Sequence, residues 1–243
     1  AGECRTMGAA TVELGANELG RIGYVHQEGE LLGWMSVRDL INYVAAYYPN
    51  WDKELERRIL AQAKLSETAK AGSLSPGQRQ KLSILLAICF HPELLILDEP
   101  AAGLDPIARA QLLNLLVEEV QDERRTIVIS SHILSDVEKV VDHVIILDEG
   151  IVLRDCPLDE LREQFVRVRL SSSSGKLPES FPFGEVIEKK GNDRQSELIV
   201  QNPDRQRIAE FADESGCELE IQSLSLDECY RHVVESPNGR RVR

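Results

Sequence analysis

Leu94-Leu95-Ile96-Leu97 is an unbroken apolar run, and Asp98, Glu99 and Pro100 follow it directly. A strand with one wet face alternates apolar and polar residues. An unbroken run closed by a proline suits an interior strand of a parallel sheet, covered on both faces. Its neighbours fit the same scheme. Ile22 to Val25 and Thr126 to Ser130 read as further strands, and Val144 to Leu147 and Ile151 to Leu153 flank the turn Asp148-Glu149-Gly150. Helices are predicted between them: Ser36 to Tyr47, with Ser36 and Asp39 spaced as a capping box, and Trp51 to Lys64. A third runs from Pro76 to about Phe90 behind the N-cap Ser75, a fourth from Asp105-Pro106 to about Gln121, and a fifth from Ile133 to Val141. Alternating strands and helices argue for an α/β fold around a parallel sheet.

After Phe165 the texture changes. Ser171-Ser172-Ser173-Ser174-Gly175 reads as a turn or linker, and Val166 to Leu170, Glu185 to Lys189 and Glu197 to Gln201 alternate as half-buried strands. Arg205 to Glu214 and Asp227 to Val234 read as helices, so a small α+β appendage is expected, with a disordered polar tail at 236–243.

Composition excludes several classes. With a net charge of −13 the chain is a poor binder of nucleic acid or of anionic lipid. Its five cysteines are odd in number and form no Cys-x-x-Cys pair, which argues against a zinc site or a disulfide framework and fits a reducing cytoplasm. The longest apolar stretch, Leu82 to Phe90, falls far short of the roughly 20 residues needed to span a bilayer.

The residues able to do chemistry sit at strand and helix ends. Asp98 and Glu99 leave the sheet where open α/β folds bind ligands. Successive strand residues point to opposite faces, so one carboxylate can hold Mg²⁺ while the other orients or deprotonates water. A strand-end acidic pair can also simply cap the next turn. Ser75 and Gly77, at the positive end of a helix, form an anion site, although Ser75-x-x-Gln78 is equally an ordinary capping box. His132 follows the strand Thr126 to Ser130 and can donate to a phosphate or act as a structural cap. Gln27 ends another strand, where its amide oxygen can ligate Mg²⁺ or hold water.

Taken together these segments resemble the nucleotide-binding subunits of ABC transporters. Gln27 is similar to the family's Q-loop glutamine, and Leu74-Ser75-Pro76-Gly77-Gln78 to its Leu-Ser-Gly-Gly-Gln signature. Leu94 to Glu99 resembles Walker B with its catalytic glutamate, Ala102-Gly103-Leu104-Asp105 the D-loop, and His132 the switch histidine. The motifs stand in the family's order, and the likeness covers about Gly2 to Glu160. The run Tyr47-Tyr48-Pro49-Asn50-Trp51-Asp52 resembles bacterial exporter ATPases whose membrane subunit is a separate polypeptide.

The resemblance implies a P-loop NTPase-like parallel sheet with an inserted helical subdomain and a small C-terminal α+β appendage. Residues 1–33 and 92–164 would form a partial RecA-like core, 34–91 the helical subdomain, and 165–235 the appendage. It implies ATP and Mg²⁺ as cofactors, with Gln27 and Asp98 on the metal and Ser75, Gly77, Gln78 and Asp105 on the nucleotide. Glu99 would activate water and His132 would contact the terminal phosphate. It also implies a head-to-tail homo- or heterodimer in which the signature of one subunit faces the phosphate loop of the other, and a membrane permease receiving the segment Gln27 to Trp51. Trp34, Trp51, Tyr43, Tyr47 and Tyr48 fall in that segment, as interface or as subdomain core. The location implied is the cytoplasmic face of the membrane.

Two departures from the pattern matter. Pro76 replaces a signature glycine and removes one N–H. No Gly-x-x-x-x-Gly-Lys-Ser/Thr run exists: around Gly175-Lys176, Leu170 and Leu177 occupy the positions of the first glycine and the hydroxyl. Walker A and its strand are therefore expected to be missing by N-terminal truncation, a reading the non-Met start favours. In the family that strand lies between those read here at Thr126–Ser130 and Val144–Leu147. Its burial would contribute on the order of 10 kcal/mol, against roughly 5–15 kcal/mol for a whole domain. The chain alone is thus expected to be marginally stable, and a cooperative unfolding transition above about 60 °C would contradict this. Other readings are a non-catalytic subunit completing a partner's site, a repair or translation ATPase lacking the usual coiled coil or tandem cassette, and an inactive gene remnant.

Overall fold

The computed structural model describes residues 2–27, 30–120, 125–172, 175–178 and 180–235. Its contacts divide between Ile133 and Leu134 into two units. The first contains β1 (Arg5–Thr6), β2 (Ala9–Ala10), α1 (Ala16–Leu19), β3 (Ile22–Val25), α2 (Val37–Ala45), α3 (Lys53–Ala63), α4 (Pro76–Ile88), β4 (Leu94–Asp98), α5 (Pro106–Val120) and β5 (Thr126–Ser130). The second contains α6 (Leu134–Val137), β6 (His143–Asp148), β7 (Ile151–Pro157), α7 (Leu158–Glu163), β8 (Phe165–Ser171), β9 (Glu185–Gly191), β10 (Gln195–Gln201), α8 (Arg205–Ser215), β11 (Glu218–Ser223) and α9 (Leu226–Glu235).

In the first unit β3, β4 and β5 form a parallel sheet with β4 central, the expected α/β arrangement. Val25, Leu97 and Ile129 share one register row, so the three strands end at a common edge. Val25, Leu95 and Leu97 are buried in a core with Leu82, Leu85 and Ile88 of α4 and Leu112 and Leu116 of α5. The opposite sheet face differs from expectation. Tyr24, Ile96 and Val128 share a row there, and Tyr24 is 55% and Val128 52% exposed. The apolar run of β4 is therefore covered closely on one face only. Gly23 explains how near α4 lies on the covered side: a Cβ at that position would come within 2.5 Å of the Ala87 carbonyl oxygen.

The helices α2, α3 and α4 start where their caps dictate. Ser36 Oγ accepts from Asp39 N at 3.1 Å and donates to the Asp39 carboxylate at 2.6 Å, a variant of the expected box in which the two side chains bond to each other. Asp52 Oδ1 caps α3 through Glu54 N and Leu55 N, and Lys64, at φ 51°, ends that helix. Glu56, 5% exposed, accepts from Arg38 at 2.6 Å and from Trp51 Nε1 at 2.7 Å. Tyr48 stacks on Phe90 with ring centroids 3.8 Å apart. Trp51 and Tyr48 therefore pack within the unit, whereas Trp34, Tyr43 and Tyr47 are exposed.

In the second unit β6 and β7 are antiparallel rather than part of a parallel run. Glu149 and Gly150, at φ 47° and 80°, make a two-residue turn with positive φ at both positions, the geometry that suits the twist of a hairpin. The helix expected from Ile133 to Val141 is limited to Leu134–Val137, because Val140 N and Val141 N both return to the Val137 carbonyl and close it. β8, β9 and β10 appear as expected, and β11 joins them in an antiparallel sheet of order β11-β8-β10-β9. Val166, Val168, Leu170, Leu198 and Val200 pack there with Ile208 and Phe211 of α8. The strand β11 and the helix α7 have no counterpart in the sequence reading. The expected helix end at Gln121, part of the Ser171–Gly175 linker and the 236–243 tail lie outside the described residues.

Candidate functional site

The parallel register decides which side chains meet. Asp98 on β4 stands directly opposite Ser130 on β5, and both are the last residues of their strands. Ser130 Oγ donates to Asp98 Oδ1 at 2.7 Å and accepts from Glu99 N at 2.9 Å. Glu99 has left the ladder and sits at φ 46°, a left-handed conformation that non-glycine residues hold only when their surroundings enforce it. Beyond it the chain turns through Ala102 N to the Glu99 carbonyl at 3.0 Å and through Gly103 at φ 72°. The Glu99 side chain reaches His132 Nδ1 at 2.8 Å, with Glu99 19% and His132 67% exposed. A covered carboxylate thus lies against an open imidazole, an arrangement able to take and relay a proton at the sheet edge.

Gln27 lies two residues beyond Val25, at the same edge, and no hydrogen bond joins its side chain to this cluster among the described residues. Asp98 carboxylate and Gln27 amide oxygens are hard donors of the kind Mg²⁺ takes. No group of three or more His, Cys, Asp or Glu able to hold a metal ion occurs among the described residues. Mg²⁺ commonly takes one or two protein oxygen ligands and completes its shell with water and phosphate, so the donor chemistry of Asp98 and Gln27 suits it.

The remaining residues of interest cluster elsewhere in the first unit. Ser75 Oγ accepts from Gln78 N at 3.3 Å, and Ser75 N donates to Gln78 Oε1 at 3.2 Å, a complete capping box. The box uses one lone pair of the hydroxyl and leaves its proton available. Pro76 carries no N–H, and Gly77, at the second helical position, has an N–H with no intrahelical acceptor. Asp105 Oδ1 accepts from Ala108 N at 2.9 Å and Ile107 N at 3.0 Å, capping α5. Those N–H groups, Ala108 first, hold its carboxyl below the usual range against a partial opposition from burial, and the Lys81 charge on α4 adds to the lowering. Gly77 and Leu104 lie close, since a Cβ on Gly77 would sit 3.5 Å from Leu104 Cδ2. The structure therefore joins Asp98, Glu99 and His132, places Gln27 on their edge, and puts Ser75, Gly77 and Gln78 at a separate helix start beside the Asp105 turn.

Sequence reasoning missed Ser130, which was read only as a strand end. Its signal was the register: once β4 and β5 are aligned by their C-terminal ends, Ser130 falls opposite Asp98.

Comparison with known proteins bears on the family and the fold. The family model described as "ABC transporter" matches residues 7–102. The ABC transporter ATP-binding protein YtrB of Bacillus subtilis (strain 168) is 30% identical over 134 residues, which are 55% of this chain and 46% of that protein. The bacitracin transport ATP-binding protein BcrA of Bacillus licheniformis is 46% identical over 99 residues, 40% of this chain and 32% of that protein. The chain thus spans less than half the length of these two relatives. Among solved structures, an ATP-binding subunit of an ABC transporter aligns with a TM-score of 0.56 at 28% identity, covering 65% of this chain and 67% of the other. A dimeric ATP-binding cassette bound to ADP and Pi aligns with a TM-score of 0.54 at 24% identity, covering 65% of this chain and 74% of the other, which shows the fold alone. Residues 7–102 are thus similar to the ABC transporter family, and the chain carries the fold of an ABC transporter ATP-binding subunit.

Proposed function

We propose that the chain is an ATP-hydrolysing subunit that powers transport through a separate membrane permease, and that its described residues supply the water-activating edge and the signature of that site. The observation that carries this reading is the cluster of Asp98, Ser130, Glu99 and His132 at one end of the parallel sheet. Two carboxylates with different partners can divide the labour: Asp98 is held by a hydroxyl, and Glu99 by an imidazole. Mg²⁺, when bound, would neutralise charge on the phosphates, with Asp98 and Gln27 as its protein ligands. Glu99 orients the attacking water and accepts its proton at a carboxylate oxygen. His132 holds Glu99 from one ring nitrogen and leaves the other for a terminal phosphate oxygen. The Ser75 hydroxyl and the Gly77 N–H bind phosphate at the start of α4, where the helix dipole favours anions. Gln78 fixes Ser75 through the capping box, and Asp105 shapes the turn that contacts Gly77 through Leu104.

The signature would act across a head-to-tail dimer, homo- or heteromeric, on a phosphate loop not found within these 243 residues. Residues 34–91 would serve as the helical subdomain between a core of 1–33 and 92–164, with 165–235 as an accessory domain. The permease would dock on the exposed aromatics Trp34, Tyr43 and Tyr47, holding the chain at the cytoplasmic face of the membrane. No helix among the described residues is long and apolar enough to cross a membrane itself. Charge reversal beside Trp34 should weaken co-purification with the permease, and unchanged co-purification would refute this docking face. The site reading is tested by titrating a fluorescent ATP analogue with Mg²⁺ into this chain and into one extended upstream through a phosphate loop. Binding by the extended chain alone supports it. Tight binding by the short chain would mean that another element cradles the phosphates.

A further inference from the structure

We infer that Ser130 is a positioning residue whose single hydroxyl sets both carboxylates of the ATP site, fixing the Asp98 side chain and holding the Glu99 backbone. The inference rests on the reading of Asp98 and Glu99 given above. A hydroxyl offers one donor and two acceptor lone pairs. Ser130 spends the donor on Asp98 Oδ1 and a lone pair on Glu99 N. The first bond is to a carboxylate oxygen and so, if that group is ionised, belongs to the stronger class of hydrogen bonds. It restricts the Asp98 side chain and leaves Oδ2 as the oxygen without a described partner.

The second bond acts on the backbone. At a strand end the N–H of the next residue loses its ladder acceptor, because β5 stops at Ser130. Glu99 turns to φ 46° there, and the Ser130 oxygen supplies the acceptor that this turn needs. The turn in turn sends the Glu99 side chain to His132, 2.8 Å away. Without the hydroxyl, Asp98 gains rotameric freedom and Glu99 N–H loses its acceptor, which leaves the turn held by the Ala102 N–H bond to the Glu99 carbonyl and by the His132 contact. Ser131, one residue on, does not share this role: its hydroxyl accepts from Ile133 N at 3.0 Å and serves the turn after β5.

The test compares Ser130→Thr with Ser130→Val. The two side chains are isosteric and both suit a strand, so they differ in the hydroxyl and not in folding propensity. Two readouts are taken. Amide exchange of Glu99 is measured in the 243-residue chain, and Mg²⁺-dependent ATP turnover in the chain extended through a phosphate loop. For Ser130→Val the expected results are faster Glu99 exchange, a kcat lowered about 10–100-fold, and a higher Mg²⁺ midpoint. Affinity for the fluorescent nucleotide should change much less than kcat. Ser130→Thr should stay near wild type in every measure. Equal loss in the two variants would overturn the inference, since it would assign the effect to packing. Unchanged Glu99 exchange in Ser130→Val would also overturn it. If the extended wild-type chain fails to turn over ATP, the functional reading falls, and Glu99 exchange still decides the role of the hydroxyl.

Discussion

Gly77 offers a substitution whose effects on stability and on function should have opposite signs. It lies at the second position of α4, its φ is not positive, and an added Cβ would meet only Leu104 Cδ2, at 3.5 Å, an ordinary contact distance. Nothing within the chain therefore requires glycine there. Replacing a helical glycine by alanine where the backbone permits it stabilises by about 0.4–1 kcal/mol, mainly by reducing the entropy of the unfolded chain. For a unit of the size of residues 1–133, that raises the melting temperature by about 1.5–3.5 °C. If phosphate approaches the Gly77 N–H, however, the same methyl group stands in its path, and a loss of only about 1.4 kcal/mol in that contact weakens ATP-dependent pairing tenfold. Thermal unfolding by circular dichroism gives the first quantity. ATP-dependent association of phosphate-loop-containing subunits, followed by light scattering, gives the second. A Gly77→Ala chain that melts lower would refute the steric argument. One that melts higher and pairs normally would show that no phosphate comes near Gly77.

Other positions test the scaffold. Gly23→Ala should destabilise by about 1–3 kcal/mol, because its Cβ would meet the Ala87 carbonyl at 2.5 Å and Leu95 Cδ1 at 2.9 Å, and a melting temperature equal to wild type would contradict that packing. Asp52→Ala should cost about 1 kcal/mol at pH 7 through loss of the α3 cap, while Asp52→Asn stays within a few tenths. The Leu55 N–H chiefly, opposed in part by burial and aided by His91 and the Glu54 N–H, holds the Asp52 carboxyl below the usual carboxylate range. A folded-state value below the unfolded one means that its contribution is present above that unfolded value and is lost as pH falls through the lower one. Urea unfolding of wild type and Asp52→Ala should therefore converge toward pH 3, and a gap unchanged from pH 7 to pH 3 would sink the account.

The sequence was readable where local rules and burial point the same way. The apolar run at Leu94, the Ser75 and Asp52 caps and the Glu149-Gly150 turn each carry their own signal, and their elements form at nearly the expected residues. It was less readable where tertiary context decides. Glu218 to Ser223 alternates weakly and carries two glutamates, and it becomes a strand because β8 offers it an edge. The run of β4 suggested cover on both faces, yet Ile96 shares an open row with Tyr24 and Val128, and residue type alone does not reveal which face a helix will reach. Five aromatics in one segment could not be sorted by composition either. Glu56 draws in Trp51 and Phe90 draws in Tyr48, which leaves Trp34, Tyr43 and Tyr47 outside.

The two readings of Ser75, cap and phosphate ligand, looked like rivals in the sequence and are compatible in the structure. The capping box uses one lone pair of the Ser75 hydroxyl and the Gln78 side-chain oxygen as acceptors, while phosphate needs donors, and the donors left over are the Ser75 hydroxyl proton and the Gly77 N–H. On the function proposed above, the cap would hold Ser75 in place and present those donors to an anion. Asp98 and Glu99 follow the same logic at the sheet edge. The Ser130 hydroxyl satisfies the strand end, and on the same proposal it would leave Asp98 Oδ2 and the Glu99 carboxylate for chemistry. At both places the bonds that stabilise the fold consume one side of a polar group and aim the other. A purely structural cap is therefore refuted only by a ligand-dependent measurement, which is why Gly77→Ala is read against ATP-dependent pairing as well as heat, and the Ser130 pair against ATP turnover as well as amide exchange.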